Sequence, residues 1–453
     1  EEILRGIKEA KDLKEYDNLA ASAYLRAKED YLMGINFSRL LTLKYGNSIS
    51  NYLNTKYSVV SLGRVMTCVL GMVVRREREI REFVETPFYT ALRTIGEKGT
   101  TFEGEWRAVK GSKWFESFDL YKENGFKEKE KAEELIRYLS NSESDASQPL
   151  TCQIVSIEKK KEKKNPPLLF NLAEIQNECS KRFKISPDET LRIIQELYEK
   201  KLVTYPRTDA RVLSTAVAKE IHKNLNGLMQ YEPAKPYLQD IVKFGSYKGL
   251  EKTRYVNDKQ ITDHYAIIPT GQGMGALKGL PNLSQRVYDV IVRRFLSIFY
   301  PPAVYQKVSI VTKIKEESFF SSFKVLAEEG YLKVTGVPGR KNDNNDNADS
   351  TEDKDTDADF FARIQSLKKG MTLPVQSLDI KEGKTSPPKR YNSGSLILAM
   401  ENAGQLIEDE ELRAQIKGSG IGTSATRGEI LKKLFNNKYL ALNKKTQIVT
   451  PTM

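Results

Sequence analysis

The sequence runs to 453 residues and carries 72 lysines and arginines against 60 aspartates and glutamates, a formal charge of +12. That length exceeds one globular core and implies roughly two to four domains, and the basic balance favours a polyanionic partner such as nucleic acid. No apolar run approaches the roughly 18 residues of a membrane span and no signal peptide is expected; Cys68, Cys152 and Cys179 are too scattered for a disulfide framework or a zinc ribbon, which fits a reducing cytoplasm.

The opening Glu1 to Lys8 reads as the middle of a helix without a start signal. The sequence is therefore expected to be a piece of a longer protein, with a core boundary near Met453. From Tyr16 to about Tyr45, Leu19, Leu25, Leu32, Ile35, Leu40 and Leu41 recur at helical spacing. A second helix is predicted from Gly63 to Phe83. Phe88 to Ile95 and Leu150 to Ile157 are β-rich. The run Lys159, Lys160, Lys161, Lys163 and Lys164 before Pro166 reads either as a solvated linker or as a phosphate contact.

Helical pattern returns from Leu172 to Phe183. Ser186, Pro187 and Glu189 then form a helix start with a predicted capping box ahead of Leu191, Ile194, Leu197 and Tyr198. That helix should end near Lys200 or Lys201, leaving Leu202 to Thr204 extended. Pro206 bars further helix and keeps Tyr205 extended. A helix is expected from Ser284 to Ile298, and strands over Val308 to Thr312 and Phe320 to Val325. Residues 341–359 form an acidic stretch expected to be disordered and unable to hold a metal. Helices from Ser393 to Leu440 close a mixed α and β, multidomain chain.

The run Leu202-Val203-Thr204-Tyr205-Pro206-Arg207-Thr208-Asp209 carries the chemistry. A tyrosine hydroxyl can attack a phosphodiester and hold it as a phosphotyrosine if a cation offsets the charge on the phosphate oxygens. Arg207, planar and permanently charged, is placed to be that cation. The plainer reading packs Tyr205 in a core and pairs Arg207 with Asp209 at a turn. His264, in Ile261 to Thr270, is either a supporting group or a structural histidine, whereas His222 reads as a helix-surface residue. Pro387 to Leu396 offers Arg390 for a phosphate and Tyr391 for an unstacked base. Gly420 to Arg427 sets Thr423, Ser424 and Thr426 at a helix start, where they either bind an anion or cap the helix. No Walker-type phosphate loop is present.

In this order the T-Y-P-R-T-D, H-Y-A-I-I-P-T, P-P-K-R-Y and G-I-G-T-S-A-T-R runs resemble the type IA DNA topoisomerases, the last two most like bacterial topoisomerase III. The resemblance implies a toroidal core with helical domains and a β-rich saddle, its hole wide enough for duplex DNA. It divides the chain into a helical domain at 1–82, saddle at 83–165, the helical domain with the nucleophilic tyrosine at 166–300, saddle again at 301–378, and helical domain again at 379–453. It assigns Tyr205, Arg207 and His264 to catalysis. Single-stranded DNA contacts fall on Asn36, Arg39, Ser61, Leu62, Gly63, Arg64, Val65, Met66, Asp209, Arg390, Tyr391, Ser395, Thr423, Ser424 and Thr426. Met66 stands where the family has glutamine, so one donor to the strand is missing. The implied activity is transient single-strand cleavage, passage and rejoining without ATP, by a monomer in the cytoplasm at the nucleoid. Type IA enzymes bind Mg²⁺ through a Toprim domain that has no counterpart in this sequence, so the alternative is a non-catalytic module that binds single-stranded DNA.

Overall fold

In the computed structural model, residues 2–96, 101–140, 149–337, 358–406 and 420–452 are described, so most of the acidic stretch at 341–359 lies outside the described residues. The chain opens with α1 (Glu2–Lys8), α2 (Asp17–Tyr31), a π-helical turn at Leu32–Phe37, α3 (Ser38–Tyr52) and α4 (Arg64–Arg81). The helical spacing from Tyr16 onward thus holds as helix, but its apolar stripe does not form a core: Leu19 is 69% exposed and Leu25 59%.

A β-rich layer follows: β1 (Pro87–Ile95), β2 (Phe102–Arg107), β3 (Leu120–Lys122), β4 (Gly125–Phe126), α5 (Lys129–Ser140) and β5 (Thr151–Lys164). The lysine run is the outer half of β5 and not a linker. Lys159 to Lys164 pair in antiparallel register with Val308 back to Ala303, and the ladder stops where Pro166 and Pro167 supply no N–H. Alternation lets the lysine heads stand off the sheet while their stems cover it.

The tyrosine-bearing unit is built from α6 (Leu172–Phe183), α7 (Pro187–Glu199), α8 (Thr215–Lys219), α9 (Ile221–Leu228), α10 (Lys235–Phe244), α11 (Met274–Leu277) and α12 (Asn282–Ser297). Leu197, Leu225, Ile291 and Phe295 meet in its core. Ser186 accepts the Glu189 amide at 3.1 Å as expected, but the reciprocal half of the capping box is absent; the Glu189 carboxylate faces Arg192 at 4.0 Å.

The chain then returns to the β layer as β6 (Ala303–Ile314), β7 (Glu317–Glu328), α13 (Leu332–Thr335), α14 (Ala358–Ser366) and β8 (Thr372–Lys384). The sheet order is β2-β7-β6-β5-β8-β1-β4-β3, and β1 also pairs with β2, so six of the strands close on themselves. Closure removes the edges that an open saddle would present. β8 crosses the boundary drawn at 378, because nine residues of β1 pair with it, from Pro87↔Lys384 to Ile95↔Val375. The interior is filled by Trp106, Phe126, Ile154 and Phe319. Arg93 also points inward, fully buried, with no hydrogen-bond partner for its guanidinium.

The chain ends with α15 (Ser393–Glu401), α16 (Ser424–Asn436), β9 (Leu440–Leu442) and β10 (Val449–Pro451). Their apolar faces pack on Val69 and Val73 of α4, so the two ends of the chain share one core. α15 lies against α6 of the tyrosine-bearing unit so closely that a Cβ on Gly394 would sit 2.7 Å from the Asn177 Cα.

Candidate active site

Tyr205 sits on a short hump held at both ends by threonines. Thr204 donates its amide to the Ile268 carbonyl at 3.0 Å, and its hydroxyl donates to Ala266 O and accepts from the Ile268 amide. Thr208 donates its hydroxyl to the His264 carbonyl at 2.8 Å and accepts the Ala210 amide. Leu202 and Val203 are buried between these strands, with Val203 bridged to Pro269. Between the two anchors Pro206 stays buried, its carbonyl accepting the Thr208 amide at 3.1 Å, and the side chains of Tyr205 and Arg207 reach outward. The T-Y-P-R-T spacing therefore encodes two pins and a projection, a signal carried by the threonines and not by the tyrosine.

The Tyr205 ring is half-buried. His264 lies against it at 4.4 Å between ring centres, tilted by 42°, and Tyr198 meets it edge-on at 5.4 Å. Arg207 is exposed and forms no ion pair or hydrogen bond among the described residues. The pair with Asp209 that the plainer reading required does not form. Asp209 instead accepts from Arg427 at 2.9 Å, across the junction with α16. Arg427 is 4% exposed and also donates to the carbonyls of Ile421 and Gly422. Asn171 ties the same junction, donating to Asp209 O at 3.1 Å and to the Glu401 carboxylate at 2.6 Å. Burial pushes the Glu401 carboxyl above its usual range, against the pull of Arg427.

Other expected contact residues converge in two places. The Ser38 hydroxyl accepts the Leu62 amide at 2.8 Å, which brings Asn36 and Arg39 beside the Ser61 to Met66 segment. Asn36 lies in the π-helical turn, a distortion that recurs at functional sites. Arg64 pairs with Asp30 at 3.0 Å, so its charge is already partly matched. Gly63 and Val65 are half-buried, as is Met66, which leans on the core shared by the chain ends.

Arg390 gives both arms of its fork to Glu77, at 2.9 and 2.8 Å, and Arg76 stacks over the Tyr391 ring at 4.4 Å. Arg76, unmarked by any motif, thus accompanies Tyr391. Ser395 and Asn392 form the capping box of α15. The Thr423 amide donates to the Thr426 hydroxyl at 3.0 Å, so these hydroxyls serve the start of α16, with Ser424 as its first residue.

Among the described residues no group of three or more histidines, cysteines or carboxylates could hold a metal ion. The carboxylates around the hump are taken: Asp209 by Arg427, Glu174 by Arg211 at 2.6 Å, Glu401 by Asn171. These residues do not fit Mg²⁺. No described helix is long and apolar enough to cross a membrane.

A basic, multidomain chain with a projecting tyrosine, a free arginine beside it and a closed β layer between helical units has the build of a type IA topoisomerase. The DNA topoisomerase family profile matches residues 14–452, and the chain belongs to that family. Within it the chain is similar to DNA topoisomerase 3 of Bacillus subtilis, 32% identical over 441 residues, covering 96% of this chain and 54% of the relative. It is likewise 32% identical to DNA topoisomerase 3 of Shouchella clausii over 442 residues, covering 97% of this chain and 53% of the relative. The chain spans about half the length of these curated relatives. Its fold is that of full-length topoisomerase I from Thermotoga maritima, with a TM-score of 0.56, 22% identity, 92% of this chain covered and 58% of the other. The expected toroidal type IA core is thereby the fold of this chain.

Proposed function

We propose that this chain is the strand-breaking core of a topoisomerase III-like enzyme acting on single-stranded DNA. The Tyr205 hydroxyl oxygen bonds to phosphorus as the bond from phosphorus to the 3′ oxygen breaks. The tyrosine loses its proton and the leaving 3′ oxygen gains one. The product is a 5′-phosphotyrosine and a free 3′ hydroxyl, and reversal rejoins the strand without ATP. Arg207 offsets charge on the phosphate oxygens, and His264 orients the Tyr205 ring. Parting of the tyrosine-bearing unit from α15 and α16 opens the strand for passage of DNA, duplex included, through the toroid. In this reading the protein acts as a monomer on DNA in the cytoplasm, at the nucleoid. Its Mg²⁺ would be held by the part of the relatives' length that this chain does not span.

The observation that carries the reading is the projection of Tyr205 between two pinned threonines, with His264 on its ring and an unpaired Arg207 two residues on. The test is an SDS-resistant adduct on a 3′-labelled single-stranded oligonucleotide with Mg²⁺. The chain is assayed by itself and joined to the remaining half of the Bacillus subtilis relative, each with and without Tyr205→Phe. A labelled adduct that disappears with Tyr205→Phe is expected in the joined protein. Binding without any adduct in the joined protein would replace this reading with that of a single-stranded DNA-binding module.

A further inference from the structure

A cleft of about 490 Å³ opens beside Tyr205, lined by Tyr198, Lys201, His264, Tyr265, Thr270 and Gln272. That volume lies within the roughly 300–1,000 Å³ typical of sites that enclose a small ligand. Its walls are aromatic: Tyr198, Tyr205, His264 and Tyr265 line it, with Tyr198 and His264 both against the Tyr205 ring. Neither the Tyr198 nor the Tyr265 hydroxyl has a hydrogen-bond partner among the described residues. Aromatic faces with unengaged polar tips suit an unstacked base, which offers a π-face to any such wall and polar atoms at its edge.

The rim adds a cation. Lys201 occupies the left-handed position after α7, with φ of 60°, where glycine is favoured. The Leu202 amide donates to Leu197 O at 2.9 Å to close that turn, and the Thr270 hydroxyl holds the Lys201 carbonyl. Lys184 and Lys438 take the same left-handed conformation after α6 and α16, so what distinguishes Lys201 is the charge it puts beside the cleft. Glu199, also on the rim, is engaged by Gln195 at 3.1 Å.

Every residue of this cleft belongs to the unit that carries Tyr205, and none comes from α15 or α16 across the junction. Whatever binds here moves with the tyrosine. We propose that the cleft is a subsite for one nucleobase, that of the nucleotide whose 5′ phosphate becomes joined to Tyr205. The inference rests on the strand-breaking reading above. Tyr198 and Tyr265 hold the base, Lys201 faces the next phosphate, and Thr270 and Gln272 meet the base edge or sugar. The strand end bonded to Tyr205 is thereby anchored at two points while the junction is open, which keeps it aligned for rejoining.

The probe is a 5′-phosphorylated single-stranded 12-mer carrying 4-thiothymidine at its first, sixth or last nucleotide, photo-crosslinked to the whole chain and mapped by mass spectrometry. Crosslinks to the peptides holding Tyr198 or Tyr265 are expected from the first position and not from the last. Tyr198→Ala should weaken binding of the 12-mer about tenfold. Lys201→Gly should raise Tm, since glycine relaxes the turn, yet weaken binding and lower the salt slope by about 0.7, as for one lost phosphate contact on a single strand. A purely structural Lys201 would raise Tm with binding unchanged. That result, with crosslinks that ignore position while the Tyr205 adduct still forms, would overturn the subsite. Loss of the adduct with the first-position crosslink intact would instead sink the strand-breaking reading and leave a base-binding cleft.

Discussion

The β layer and the junction beside Tyr205 each bury an arginine, and they treat it in opposite ways. At the junction, Arg427 spends its guanidinium on Asp209 and on two carbonyls, so one side chain joins the Tyr205-bearing unit to α16. In the β layer, Arg93 has no hydrogen bond; it lies 5.4 Å from the Phe319 ring and 5.8 Å from Phe102, and burial pulls its guanidinium down to about 10. The same layer buries Glu317 and satisfies it fully, with donors from Trp106, Ser112 and the Lys113 amide at 2.6 to 2.8 Å. Burying a charge is therefore not what distinguishes the two regions. What differs is whether the charge connects two units of the chain, as Arg427 does, or lies inside one, as Arg93 does. The junction adds polar contacts to the close packing of α15 on α6, where Ala173 joins the cluster of Leu396 and Ile397; the β layer is held by apolar filling, which does not need Arg93.

That contrast can be broken first at Arg427. Arg427→Met removes three charge-assisted contacts and should destabilise the junction by roughly 3 kcal/mol, read as a lower Tm for the calorimetric transition that includes α16. An unchanged Tm would mean that the junction is held by packing alone. Arg93→Met should act in the other direction, stabilising by about 1–2 kcal/mol once the lost ring contacts are set against the relief of an unpaired buried charge. Both tryptophans, Trp106 and Trp114, lie in the β layer, so urea unfolding followed by their fluorescence reports this region directly. The pH sign agrees. A base whose folded pKa is depressed weakens the fold at neutral pH, and stability recovers as pH rises from about 10 towards the ordinary value of 12.5. The variant should lose that rise.

A comparable loss, about 1–3 kcal/mol, is expected from Gly394→Ala, because the new methyl meets the Asn177 backbone and the Ser180 Cβ at 2.9 Å. Limited proteolysis should find the edge between α6 and α15 more accessible in that variant. The smallest effect belongs to Glu401→Gln. The amide oxygen can still accept from Asn171, while a buried charge is removed. A carboxyl whose folded pKa is raised contributes stability below its unfolded pKa and loses it as pH climbs through the folded value. Wild type should therefore lose stability just above pH 4.5, and the variant should not, as followed by Tm against pH.

Much of the local structure is legible in the residues themselves. Ser186 and Pro187 start α7 where they stand, Leu172 to Phe183 is helical, and the strand at Phe88 to Ile95 is one residue short of β1. Such features depend on neighbours a few positions away, on caps, periods and β-branched runs. The Tyr205 motif is legible for the same reason, since its chemistry is carried by residue types two apart in sequence. The lysine run shows the limit: five lysines read as solvated chain until β6 supplies a partner ladder, because pairing is decided by a strand some 140 residues away.

The site divides along the same line. The sequence by itself singled out the Tyr205 run, with its proline-imposed extension and its arginine two residues on, and it placed the helix starts. Only the tertiary structure decided that Asp209 pairs with Arg427 and not Arg207, and that Arg390 is spent on Glu77. It also decided that Tyr198 and His264 flank Tyr205 and that β1 closes the sheet onto β2. Each of these is a contest among several partners for one group, settled by which surfaces the folded chain brings within about 3–5 Å, a length over which sequence separation carries no information.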